Sequence, residues 1–331
     1  MKKLSLILIL FISLTGCQKI FFKKNKASVD PQENFEYLWQ ELNDKYSYFD
    51  VKNINWNTVH DQYKNLIHPG MSEAELFEVL KKMLFELKDD HSNLVSAFDV
   101  SVYNIYAQYP KNFNDHLIYE LFPDIHRTGP FSHSWIPGKN IAYIRYASFM
   151  STFSAEQLDY VLDLYKNAQG LIFDIRENGG GILLNVPSIL SRFTETPILV
   201  GYSKTKIGPE SNDFGDAEPF NIQPSENTHF TKPVAVLIDR GSYSASTFFA
   251  ASTKAFNNIT LVGAPTGGGA GLPHGGQLPN GWTFRFSISQ FLYPNGDASA
   301  ELGVQPDVPI AFDWTDMTKD EIIDKAVEIL E

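Results

Sequence analysis

Hydrophobic residues recur at two different periods along this chain, and the change of period divides it. From Asp30-Pro31 onward the spacing is helical. Phe35, Leu38, Trp39 and Leu42 share one face, behind a proline that suits the first turn of a helix. A second helical stretch surrounds Trp56, Val59, Tyr63 and Leu66, and His68-Pro69-Gly70 breaks it. Ser72-Glu73-Ala74-Glu75 has the serine-to-glutamate spacing of a capping box. Leu76, Val79, Leu80, Met83, Leu84 and Leu87 then form one apolar stripe. Residues 31–97 therefore read as a helical lobe whose third helix runs out at Lys88-Asp89-Asp90-His91.

Residues 98–135 are rich in Tyr, Phe, Pro and Asn without a clear period, and read as an irregular connecting segment with at most short strands. After that the pattern becomes β-like. Residues 140–146 alternate, and 170–175 and 233–238 are unbroken apolar runs, as expected of strands buried on both faces. Another strand is expected at 260–263, and helical stretches at 154–168, 182–193 and 244–256. Alternation of strand and helix predicts an α/β core over 136–331, closed by a β-element at 283–291 and an amphipathic helix at 318–330. The stretch 200–230, with Gly208, Pro209, Gly215 and Pro219, reads as a long surface excursion of the kind that lines sites.

The head of the chain has a different character. Lys2 and Lys3 precede an apolar run at 4–14, too short to span a bilayer, and Leu14-Thr15-Gly16-Cys17 closes it. Residues 1–16 read as a signal peptide, and the closing tetrapeptide resembles a bacterial lipobox. Cys17 is the only cysteine, so it makes no internal disulfide, and it stands where lipidation needs it. Residues 17–30 form a Lys-rich tether suited to anionic headgroups. The expected location is the cell envelope outside the cytoplasm, lipid-anchored at Cys17, with the outer membrane as first choice. The formal charge of -12 argues against a nucleic-acid partner. With no Cys/His cluster at ligand spacing, no metal or cofactor is expected.

Four stretches carry candidate chemistry. At 239–250 a buried strand ends in a Gly turn and a helix opens with Ser242, Ser244 and Ser246. A hydroxyl at a helix N-terminus meets unpaired N–H groups and the positive end of the dipole, although serines there also serve as plain caps. At 174–181 Asp-Ile-Arg-Glu-Asn-Gly-Gly-Gly places Gly179, Gly180 and Gly181 between strand and helix, where backbone N–H groups are free to face a ligand. Asp90-His91-Ser92 offers one of eight histidines, the usual base near neutral pH. Glu301 lies in a Gly-rich stretch that follows a strand.

Together these stretches resemble the tail-specific, or C-terminal processing, serine peptidases. That family carries Asp-x-Arg-x-Asn-x-Gly-Gly, matched at 174–181. It carries a Ser-x-Ser-Ala-Ser-Glu-like opening of a helix, matched at 242–247 except that Thr247 replaces the usual glutamate. Val-Gly-x-Pro-Thr-x-Gly is matched at 262–268, and Gly-x-x-Pro-Asp at 303–307. The resemblance implies a ClpP/crotonase-like core, with Ser244 as nucleophile and the N–H groups of Gly180 and Ala245 as oxyanion hole.

Many members pair the serine with a lysine just after Pro-Thr-x-Gly. Here that position is Gly269, and no lysine stands between Lys254 and Lys319. The stretch between Val95 and Pro137 is also too short for the PDZ domain those members carry. The sequence is instead similar to the branch typified by the tricorn core protease, which implies His91 as base, Glu301 as its orienting carboxylate and Asp90 as a polar supporter. A rival base is His274, beyond Gly269. The function so implied is hydrolysis of a peptide or protein substrate through an acyl-enzyme. The competing readings are an esterase and an inactive binding lipoprotein of the same fold.

Overall fold

A computed structural model describes residues 27–331. The expected signal peptide, Cys17 and most of the expected tether lie outside the described residues. The helical lobe opens with α1 (Pro31–Lys45), whose N-cap Asp30 accepts the Glu33 N–H at 3.0 Å. It continues with α2 (Trp56–Lys64) and α3 (Glu73–Phe85), and the capping box at Ser72 and Glu75 is complete in both directions. Their apolar faces meet in a core of Phe35, Leu38, Leu42, Trp56, Leu80 and Met83.

That core is not built by residues 31–97 alone. Leu278, Trp282, Phe284 and Phe286 enter it from late in the chain. They lie on or beside β10 (Pro273–Gln277) and β11 (Thr283–Ser287), which pair with β1 (Asn93–Val95) as a small antiparallel sheet in the order β1-β11-β10. The lobe and the α/β core are thus stitched together by strand pairing directly after His91.

The main sheet has seven strands. β4 (Ile141–Tyr146), β5 (Gly170–Asp174), β8 (Val234–Ile238), β9 (Ile259–Gly263) and β13 (Val308–Pro309) run parallel. β2 (His126–Thr128) and β3 (Phe131–Trp135) add an antiparallel edge. Two of these strands, together with α4 (Asp115–Leu121), lie in the segment expected to be irregular. Aromatic and polar residues there obscure the alternation, yet Phe131 and His133 point inward from β3. β5 and β8 are buried at every position, as their unbroken apolar runs require.

On one face of the sheet pack α5 (Ala155–Leu164), α6 (Asn185–Leu190) and α7 (Ala245–Thr253) around Phe173, Phe193 and Phe249. On the other lies α8 (Glu321–Leu330), with Ile322, Ile323 and Ala326 on Tyr143 and Ile172. The 200–230 excursion is a hairpin rather than a loop. β6 (Ile198–Thr205) pairs with β7 (Glu218–Ile222) and with β12 (Ser289–Leu292), and this third sheet stands beside the N-terminus of α7.

Candidate active site

Three flanking serines were candidates, and their surroundings separate them. Ser242 Oγ donates to Ile175 O at 2.8 Å, and Ser246 Oγ donates to Asn178 O at 2.7 Å. Both are fully buried ties between α7 and the Asp174–Gly181 loop. Ser244 lies between them at φ +58°, ψ −117°, a conformation a non-glycine residue adopts only under constraint, at about 1–3 kcal/mol. The constraint is visible. Its N–H donates to Gly268 O at 3.0 Å, the preceding Tyr243 N–H donates to Asn178 O at 3.0 Å, and its carbonyl accepts Phe248 N–H at 2.9 Å. This sharp strand-to-helix turn aims the Ser244 hydroxyl away from the helix and into a cleft.

Facing it is His91, with Nε2 3.0 Å from Ser244 Oγ. The ring meets Tyr243 edge-on, with centroids 5.0 Å apart. Its Nδ1 lies 3.3 Å from Ser287 Oγ on β11, and the Gly271 backbone also hydrogen-bonds the imidazole. Burial pushes the imidazole down to about 4, helped by the positive charges of Arg285 and Lys52 and opposed by Asp89. His91 is therefore neutral at pH 7, and with its proton on Nδ1 the ring offers a lone pair toward the serine. His274 sits on β10 and is not among the residues lining the cleft.

Two expected partners of His91 stand elsewhere. No direct Glu301–His91 bond forms. Glu301 is fully buried on a short 3-10 turn, its Oε2 accepts the Ala270 N–H at 2.9 Å, and its Oε1 lies 2.9 Å from Lys52 Nζ. Burial raises its carboxyl and Lys52 opposes that rise. The neighbour of Nδ1 is instead Ser287. Likewise Asp90 accepts the Asn104 N–H at 2.6 Å and lines the cleft, whereas the carboxylate acting on His91 is that of Asp89. Asp89, buried, accepts from Tyr46 Oη at 2.6 Å, Ser92 N at 2.7 Å and Lys52 Nζ at 2.8 Å. Burial alone would raise its carboxyl, but Lys52 and these donors hold it below the ordinary range. Lys52, Asp89 and Ser287 carried no motif in the sequence. The only hint was a lone lysine in the aromatic turn after α1 and a doubled aspartate before the histidine.

The glycine loop explains itself by space. A Cβ on Gly180 would lie 2.8 Å from Ser244 Cβ and 2.9 Å from Ala245 N, so the loop's backbone is pressed against the serine. On Gly181 a Cβ would stand 2.2 Å from Met150 N, where Gly181 forms a parallel bridge with Phe149. Ala245 N–H, at the head of α7, has no acceptor among the described residues. The Gly180 N–H, however, donates to Asn178 Oδ1 at 3.1 Å, a side chain that also accepts from Phe149 N at 3.1 Å. Gly180 as an open oxyanion donor is therefore corrected: in this state its N–H is shared with Asn178. The loop is anchored beneath by Arg176, fully buried between Asp174 at 2.7 Å and Asp320 at 2.9 Å.

Position 269 has φ +72°, and a Cβ there would fall 2.4 Å from Tyr243 Cζ. In this conformation the Tyr243 ring takes the space a side chain at 269 would need, and the positive φ strains any residue but glycine. Thr247 also gains an account, since its hydroxyl donates to Ser242 O at 3.2 Å and lies 3.1 Å from Thr266 Oγ1. There it ties α7 to the loop that follows β9.

The cleft has a volume of about 620 Å³. Its lining includes the polar Asp90, His91 and Arg285 and the apolar Met150, Leu183, Phe220, Phe248 and Phe291. Phe248 is one helical turn beyond Ser244 and packs on Phe220 and Phe291 at 4.9 and 5.0 Å.

Comparison with known proteins agrees with this architecture. Residues 140–310 match the model of peptidase family S41, and residues 28–85 match the tricorn protease C1 domain. The carboxy-terminal processing protease CtpA of Bacillus subtilis (strain 168) is 27% identical over 177 residues, 53% of this chain and 36% of that protein. The chain thus spans little more than a third of that relative. A crystal structure from Parabacteroides merdae ATCC 43184 superposes with TM-score 0.87 at 39% identity, over 92% of this chain and 97% of that one. Mature CPAF shares the fold at TM-score 0.67 and 12% identity, over 91% and 96% of the two chains. With half of its length inside the family model and a 39% identical structure covered almost end to end, the chain belongs to peptidase family S41.

Proposed function

We propose that this chain is an exported, lipid-anchored serine peptidase that uses Ser244 as nucleophile and His91 as base, without a lysine dyad or a PDZ domain. The observation that carries the reading is the 3.0 Å contact between His91 Nε2 and a strained, cleft-facing Ser244 Oγ. The neutral imidazole takes the serine proton as Oγ attacks the scissile carbonyl carbon. Negative charge develops on the carbonyl oxygen near the Ala245 N–H and the head of α7. His91 returns the proton to the amine as the C–N bond breaks. Water then attacks the acyl-enzyme with His91 again as base, and releases the carboxylic acid and the free serine. The substrate is a peptide or protein segment laid along the cleft, and the apolar wall of Phe220, Phe248 and Phe291 suits an apolar side chain. Export rests on residues 1–16 and anchoring on Cys17, which puts the folded body on the outer side of a membrane of the cell envelope.

Peptide hydrolysis by the purified chain tests the reading. Ser244→Ala and His91→Ala should each lower kcat by on the order of 10³-fold or more with the fold intact. Undiminished cleavage by Ser244→Ala would overturn it. Turnover of esters but of no peptide would replace peptidase by esterase.

A further inference from the structure

Behind the glycine loop lies a cluster that the proposed chemistry does not use. The Lys52 side chain is 7% exposed. Its Nζ donates to Leu87 O at 3.1 Å and to Asp89 Oδ2 at 2.8 Å, and stands 2.9 Å from Glu301 Oε1. The last contact lacks the angle of a hydrogen bond, so the Asp89 leg is the firmer one. A cavity of about 350 Å³ adjoins the cluster, lined by Lys52, Asp89, Gly267, Gly269, Glu301 and Tyr243. Gly269 and Tyr243 line the catalytic cleft as well, so the loop is the partition between the two spaces.

One ammonium between two buried carboxylates is poor value for stability alone, because desolvation consumes most of the attraction. What the carboxylates are attached to is more telling. Asp89 stands two residues before His91 and accepts the Ser92 N–H, which fixes the segment bearing the base. Glu301 holds the opposite side: its Oε2 takes the Ala270 N–H, and its carbonyl takes the Gly269 N–H at 3.2 Å. That same loop accepts the Ser244 N–H through Gly268 O and bonds the imidazole through Gly271. We propose that Lys52 is a positioning residue for the Ser244–His91 pair, its ammonium tying the base-bearing segment of the helical lobe to the glycine loop through Asp89 and Glu301. The inference deepens the peptidase reading and rests on it. Glu301 then serves the histidine through Lys52 and the loop.

The test uses full-length protein in detergent, with kcat, KM and the pH profile of a chromogenic peptide, and circular dichroism to report folding. The variants are Lys52→Arg, Lys52→Met and the double variant Lys52→Met/Glu301→Gln. The double variant keeps the net charge of the cluster, so it strands no additional charge. Both Met variants should lose kcat by on the order of 10–100-fold, the scale of a misplaced reacting pair, with KM within about two-fold. The charged groups acting on the imidazole are Asp89, Lys52 and Arg285, with Asp90 adjacent in the chain. Loss of the ammonium removes one that disfavours imidazolium, so the acid limb should move to higher pH in Lys52→Met. Lys52→Arg should recover most of kcat and the parental limb. A folded double variant with parental kcat would overturn the proposal. So would failure of the double variant to fold, or a kcat loss in Lys52→Met with an unmoved acid limb and no recovery in Lys52→Arg. A parent that reacts with no fluorophosphonate would sink the serine-hydrolase reading, and this inference with it.

Discussion

Ser244 and His91 are 153 positions apart in sequence and 3.0 Å apart in space. That contact fixes a pH dependence. The folded imidazole titrates at about 4, below its ordinary value near 6.5, so folding favours the neutral form. The stability so contributed is complete above about pH 6.5 and is lost as pH falls through the folded value, by about 3 kcal/mol from this group. A urea titration series from pH 7 to pH 4 should show that loss in the parent and a smaller one in His91→Gln. For catalysis the same shift means that kcat/KM should hold into mildly acidic solution, with an acid limb near 4 rather than near 6.5. Among residues, those named in the sequence by motif were Ser244, His91, Glu301 and the glycines. Lys52, Asp89 and Ser287 were not legible. Their role depends on burial and pairing across the lobe–core boundary, and neither leaves a spacing to read.

At the scale of elements, the decisive piece is the turn between β8 and α7 with the two glycine loops pressed on it. The glycine pattern was readable because only bare backbone fits beside Ser244. What the pattern hid was the occupancy of Gly180 N–H by Asn178, a side-chain choice invisible in spacing. Two outcomes belong here. Gly269→Lys, which places the lysine of the dyad-bearing relatives in this chain, should give no active dyad and a damaged cleft, since its Cβ would collide with the Tyr243 ring. Activity in that variant with His91→Ala would refute this steric account. Asp320→Ala should destabilise the fold by about 3–5 kcal/mol by leaving Arg176 partly unpaired in the interior. Chemical denaturation reads this directly, and a change below 1 kcal/mol would show that Asp174 alone suffices. The late hairpin was expected only as a generic β-element. Its role in the lobe's core was unreadable because β10 is rich in glycine and alternates weakly.

For the molecule as a whole, the α/β core was legible from buried strand runs, and the helical lobe from its stripes and caps. Their union was not, because β1 pairs with β11 across almost two hundred positions. The union matters: the proposed base comes from one body and the proposed nucleophile from the other, so anything that loosens β1 from β11 should act on catalysis before it acts on either core. The proposed lipid anchor acts on the molecule as a whole too. Cys17→Ala should move the protein from the membrane fraction to the soluble one without altering peptide turnover, and fractionation of expressing cells shows which occurs. The measurement that bears most directly on the central claim is the intact mass of the purified chain after exposure to a fluorophosphonate, with the adduct mapped by peptide sequencing. The account requires one adduct, on Ser244, absent in Ser244→Ala and strongly slowed in His91→Ala. A folded parent left unlabelled, or an adduct on another serine, would contradict it.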